Sequence, residues 1–102
     1  MIRLFLALIL IQASTISLAA ADCVVLLHGL ARISNSMSEL ERKLTKTGYD
    51  VANISYPSVK YEIEVLASDA VGRGIRQCLA NNPDQIHFVS HSLGGILVRY
   101  YF

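Results

Sequence analysis

Hydrophobic positions divide the chain into short blocks whose period alternates between that of a strand and that of a helix. Cys23-Val24-Val25-Leu26-Leu27 is apolar on both faces and rich in branched residues, which predicts a buried central strand of a parallel sheet. From Ser36 to Thr47 the period becomes helical. Met37, Leu40 and Leu44 form an apolar stripe, Ser36 and Glu39 suit a capping box, and Gly48 suits the C-terminal cap. Asp50 to Tyr56 predicts a second strand, closed by Pro57, which disfavours helix in the residue before it. From about Tyr61 to Ala80 the residues Ile63, Ala67, Ala70, Val71, Gly74, Ile75, Cys78 and Leu79 recur at helical spacing. Gly72 and Gly74 weaken this helix but let it pack closely on a sheet. Asn81-Asn82-Pro83-Asp84 ends it, and a third strand is expected from Gln85.

Strands alternating with helices predict an α/β fold: a parallel sheet with flanking helices and right-handed crossovers. No G-x-G-x-x-G follows the first strand, so the pattern of a dinucleotide-binding fold is absent.

The third strand leads directly into candidate chemistry. Ile86-His87-Phe88-Val89-Ser90 is followed by His91-Ser92-Leu93-Gly94-Gly95, and then by the apolar helix start Ile96-Leu97-Val98. Ser92 stands at the turn with small residues, Ser90 and Gly94, two positions away on either side. Strand and helix approach each other closely at such a turn, and the serine occupies a sparsely populated backbone conformation. The free N–H groups of the following helix point at the turn, where negative charge develops in acyl transfer.

This stretch resembles the G-x-S-x-G nucleophile elbow of α/β-hydrolases, and in particular the S/T/G-H-S-x-G-G form of lipases and esterases. Ser90 stands where that pattern has its first glycine. His28-Gly29-Leu30, directly after the first strand, is similar to the HG-x oxyanion loop of the same family. The resemblance covers essentially the whole chain after residue 21. It implies Ser92 as the nucleophile and the backbone N–H groups of Leu30 and Leu93 as oxyanion donors. His28, Gly29, Ser90, His91 and Gly94 form the oxyanion loop and the elbow around them. The substrate implied is a small-molecule or lipid ester, with no cofactor and no metal.

The N-terminus changes the compartment. Met1-Ile2-Arg3 gives a positive start, Leu4 to Ile11 is an unbroken apolar run, and Ala19-Ala20-Ala21 offers an A-x-A cleavage site. Residues 1–21 are therefore expected to be a signal peptide and residues 22–102 the N-terminal part of a hydrolase domain, secreted or periplasmic. The run is shorter than the ~20 apolar residues that span a bilayer, so no stable membrane span is expected once the leader is removed; an uncleaved leader would leave an anchor. A net charge of +1 gives no argument for nucleic acid.

Export also bears on Cys23 and Cys78, the two cysteines of the chain. An even pair in an oxidising compartment favours a disulfide over a metal site, and no Cys/His cluster has zinc-ligand spacing. Cys23 begins a strand. A helix ending near Ala80 runs antiparallel to that strand and returns Cys78 to the same sheet edge.

Serine needs a base to take its proton and an acid to orient that base. In this family the partners follow the nucleophile in the order acid, then histidine. After Ser92 the chain reads Leu, Gly, Gly, Ile, Leu, Val, Arg, Tyr, Tyr, Phe, with neither. His91 adjoins the serine, but neighbouring side chains diverge in a strand or tight turn. His87 reads as a mid-strand residue, and His28 as a brace of its loop. Asp22, Asp50, Asp69 and Asp84 all precede the serine and read as strand-end or turn residues. The expectation is a serine esterase or lipase cut off inside the helix after its nucleophile. A non-catalytic interaction module and an acyltransferase of the same fold are the alternatives.

Overall fold

A computed structural model describes residues 21–30 and 34–102; apart from Ala21, the expected leader lies outside the described residues. Strands β1 (Cys23–Leu27), β2 (Asp50–Ile54) and β3 (Ile86–Ser90) form one parallel sheet in the order β2-β1-β3. In register, Leu27 of β1 stands between Ile54 of β2 and Ser90 of β3, so the strands end together at one sheet edge. The fold is of the α/β class, a small parallel sheet with flanking helices.

Alternation along β1 assigns the two faces. Cys23, Val25 and Leu27 share a core with Ala52, Ile54, Leu66, Ala67, Ala70, Val71, Cys78 and Leu97. The last six come from three helical elements after β2, α2 (Ile63–Leu66), a π turn (Ala67–Val71) and α3 (Gly72–Leu79), and from α4 (Leu93–Tyr101) after β3. On the opposite face lies α1 (Ser38–Thr47), where Asn53 Nδ2 donates to Glu41 Oε1 at 2.9 Å. The first crossover steps outward from β1 to β2, and the second steps back past β1 to β3. Right-handed crossovers then require helices on opposite faces, as found.

Packing fixes these placements. Leu97 is fully buried, and burial of such a side chain stabilises by about 1.5–3 kcal/mol, which anchors α4 to the sheet. A β-carbon on Gly74 would stand 2.5 Å from Val25 Cγ1, so α3 lies directly on the strands. Cys23 and Cys78 are joined by a disulfide with their Cα atoms 5.6 Å apart. No helix of the described residues is long and apolar enough to cross a membrane.

Several local expectations are corrected. The first turn before α1, Ser34–Met37, winds as a 3-10 helix, and the residue that caps α1 is Met37, whose side chain makes no cap hydrogen bond. Glu39 pairs with Arg42 one turn on. Gly48 does end the helix, at φ 110°, with Tyr49 N–H donating to Leu44 O and Gly48 N–H to Thr45 O, a Schellman closure. Strand β2 stops at Ile54 rather than Tyr56, because the Tyr56 N–H is spent on His28 Nε2 instead of the ladder. The long helix contains a π turn, which brings residues five apart onto one face: Leu66 joins Val71 in the core. Ile63 and Leu79, at its two ends, are exposed.

Candidate active site

Ser92 follows β3 directly and precedes α4, at φ 55° and ψ −111°. A side chain there is strained by about 1–3 kcal/mol, and the conformation persists only where the surroundings fix it. They fix it on both sides. His91 N–H donates to Leu27 O at 3.0 Å, which ties the turn to the end of β1. Gly94 N–H donates to His91 O at 3.1 Å and Gly95 N–H to Ser92 O at 3.0 Å, which starts the helix. The close approach explains the small neighbours. A β-carbon on Gly94 would meet the Leu27 carbonyl oxygen at 2.6 Å, and one on Gly95 would meet Ser90 Oγ at 3.2 Å. The serine is exposed, and its hydroxyl does not cap the helix it begins.

The facing loop leaves β1 at the same edge. His28 is fully buried, its ring stacked on Tyr56 with centroids 4.1 Å apart and planes 16° apart. Its Nδ1 lies 2.9 Å from Gly29 O. A carbonyl oxygen only accepts, so Nδ1 carries the ring proton; the Tyr56 N–H only donates, at 3.4 Å, so Nε2 is the acceptor. The Tyr56 hydroxyl donates to His28 O. Gly29 then passes beneath His91: a β-carbon there would stand 2.7 Å from His91 Nδ1. The carboxyl ends of β1 and β3, whose following helices lie on opposite faces, are the switch point at which open α/β sheets bind ligands.

Of the residues expected from the sequence, Ser92, His91, Ser90 and Gly94 stand on one turn, and His28 and Gly29 pack beside it. Leu30 and Leu93 follow on the two loops. The Leu93 N–H belongs to the first turn of α4, where the helix dipole favours negative charge. Cys23 and Cys78 lie at the opposite end of β1 and brace it.

The remaining histidine and the acids stand apart. His87 is five residues before Ser92 on an extended strand, about 16 Å along the chain, and its Nε2 lies 3.1 Å from Asp22 Oδ2. Asp50 N–H bonds to Asp22 O, which keeps both acids at the strand beginnings. Asp69 is engaged by Arg73, whose hydrogen bond holds its carboxyl below the usual range. No group of three or more His, Cys, Asp or Glu side chains among the described residues could hold a metal. An open depression of about 570 Å³ is lined by Glu64, Val65, Ser68, Asp69 and Arg76, and one of about 330 Å³ by Asp22, Thr47, Gly48 and Tyr49. Neither is lined by a residue of the Ser92 edge.

Tyr56 escaped the sequence reading, which placed it at the end of a strand. The signal available was the parallel order: two residues past Ile54 and one past Leu27 fall at the same edge, because those two residues are in register.

Comparison with family models, with curated proteins and with solved structures found no match.

Proposed function

We propose that the chain carries the nucleophile and oxyanion donors of a serine hydrolase acting on carboxylic esters, of the lipase and esterase kind and on a sheet of the α/β-hydrolase type. The observation that carries this is the backbone of Ser92, a strained non-glycine residue held between a parallel strand and a helix start. Such strain collects at functional sites.

In this reading Ser92 Oγ attacks the carbonyl carbon of the ester while its proton passes to a base. The carbonyl π pair moves onto oxygen, and the Leu30 and Leu93 N–H groups receive that oxyanion. Collapse expels the alkoxide, which leaves as the alcohol with the proton from the base. Water then cleaves the acyl-serine by the same route and returns the hydroxyl. His28 is not that base, since both of its ring nitrogens are engaged. His91 leans on Gly29, and the His87 ring is held at the far end of β3. These contacts place none of the three histidines as the base, so the reading is tested with a base added from solution.

The test is hydrolysis of p-nitrophenyl acetate with imidazole added as the base. The reading expects turnover above that of Ser92→Ala under the same imidazole. Equal rates for the two folded proteins would refute it.

A further inference from the structure

We propose that Arg73 and Tyr56 are positioning residues that aim the Leu30 N–H, acting through His28 and two peptide units. This rests on the reading of Leu30 N–H as an oxyanion donor. The geometry begins 18 residues away in sequence, where Arg73 Nη2 donates to Ser55 O at 2.7 Å. A peptide unit is planar, and in the trans form its C=O and N–H point in opposite directions; no cis bond is present among the described residues. Ser55 C=O and Tyr56 N–H belong to one such unit. Holding the carbonyl on Arg73 therefore directs the N–H the other way, onto His28 Nε2 at 3.4 Å.

That bond selects the tautomer. With Nε2 accepting, the proton sits on Nδ1 and is donated to Gly29 O at 2.9 Å. Gly29 C=O and Leu30 N–H are again the two ends of one planar unit, so the Leu30 N–H must point away from His28. Tyr56 adds two restraints: its ring lies flat on the imidazole, and its hydroxyl holds His28 O. Burial raises the Tyr56 phenol above its ordinary pKa, so it remains a donor wherever the protein is folded near neutrality. Arg73 is itself anchored by Asp69, with Nη2 2.8 Å from Oδ2 and Nε 3.1 Å from Oδ1. Each donor in the series also polarises the next. The chain runs from an ion pair on the helix surface to the backbone amide that follows Gly29, the residue packed against His91.

Arg73 is partly exposed, so its replacement leaves the core intact. The test is nuclear magnetic resonance of the isotopically labelled, disulfide-bonded chain without substrate. The ring ¹⁵N shifts of His28 and the residual dipolar coupling of the Leu30 N–H are compared among wild type, Arg73→Met, Arg73→Lys and Tyr56→Phe. Wild type is expected to show His28 protonated on Nδ1 alone. Arg73→Met is expected to shift the ring nitrogens toward a mixture of tautomers and to move the Leu30 coupling, with the Val24 to Leu27 couplings unchanged. Arg73→Lys, which retains a donor, is expected to restore the wild-type values; Tyr56→Phe is expected to move the Leu30 coupling. Wild-type His28 protonated on Nε2, or a Leu30 coupling unmoved in both Arg73→Met and Tyr56→Phe, would overturn the proposal, and the first of these needs no variant to fold. The hydrolase reading fails separately, on Ser92-independent ester turnover.

Discussion

Gly94 lies so close to Leu27 that a β-carbon on it would stand 2.6 Å from the Leu27 carbonyl oxygen and 2.8 Å from the Leu27 Cβ. Both neighbours belong to the central strand and cannot turn aside as a side-chain tip could. Gly94→Ala must therefore lift the start of α4 off β1, at a cost of about 1–3 kcal/mol. Denaturant midpoints measure it. A change below a few tenths of a kcal/mol would show that the approach is looser than described.

Ser92→Gly is expected to stabilise the protein while removing the proposed nucleophile. Strain at φ 55° costs about 1–3 kcal/mol, and glycine offsets part of that relief through its larger unfolded-state entropy, about 0.5–1 kcal/mol. The net gain is about 1 kcal/mol in thermal or denaturant unfolding. Ser92→Ala keeps the β-carbon and is expected to give no such gain. Equal stability of the two variants would contradict the strain.

The strands were legible because β1 is apolar on both faces, which only a central parallel strand requires. The tight turn at Ser92 was legible because Ser90, Ser92 and Gly94 are small in a pattern that close approach demands. Boundaries were less legible where tertiary bonds compete with local ones. Tyr56 leaves the strand because its N–H finds an imidazole 28 residues away in sequence, and no local pattern encodes that partner. The π turn was hidden for a similar reason: its one-residue change of phase is dictated by packing of Leu66 and Val71 on the sheet. The start of α1 was blurred in the same way, because a 3-10 turn over Ser34–Met37 precedes it and places the cap at Met37.

Reducing the Cys23–Cys78 disulfide is expected to destabilise the fold by up to about 4 kcal/mol, the loop-closure value for a bridge spanning 55 residues. Urea unfolding with and without reductant measures the difference. Two freely alkylatable thiols in denatured, unreduced protein exported to an oxidising compartment would contradict the bridge.

Tyr56 sets an alkaline limit. Burial raises its pKa above the ordinary 10.0, so the folded state favours the neutral phenol. A raised folded pKa contributes stability that is complete below the unfolded value and is lost as pH rises through the folded one. Stability is thus expected to fall above about pH 10 more steeply in wild type than in Tyr56→Phe. Parallel stability–pH curves for the two proteins would exclude this origin.

The most direct test of Ser92 as the nucleophile is covalent capture. A fluorophosphonate places its P=O oxygen where the oxyanion would sit, and Ser92 Oγ displaces fluoride at phosphorus. Imidazole is added as the base. Peptide mass mapping after incubation with probe and imidazole is predicted to find the phosphonyl adduct on Ser92. The yield should rise with imidazole concentration, and the adduct should be absent from Ser92→Ala. A folded, disulfide-bonded chain that carries no adduct on Ser92 at any imidazole concentration, or that is modified equally on other serines, would contradict the account.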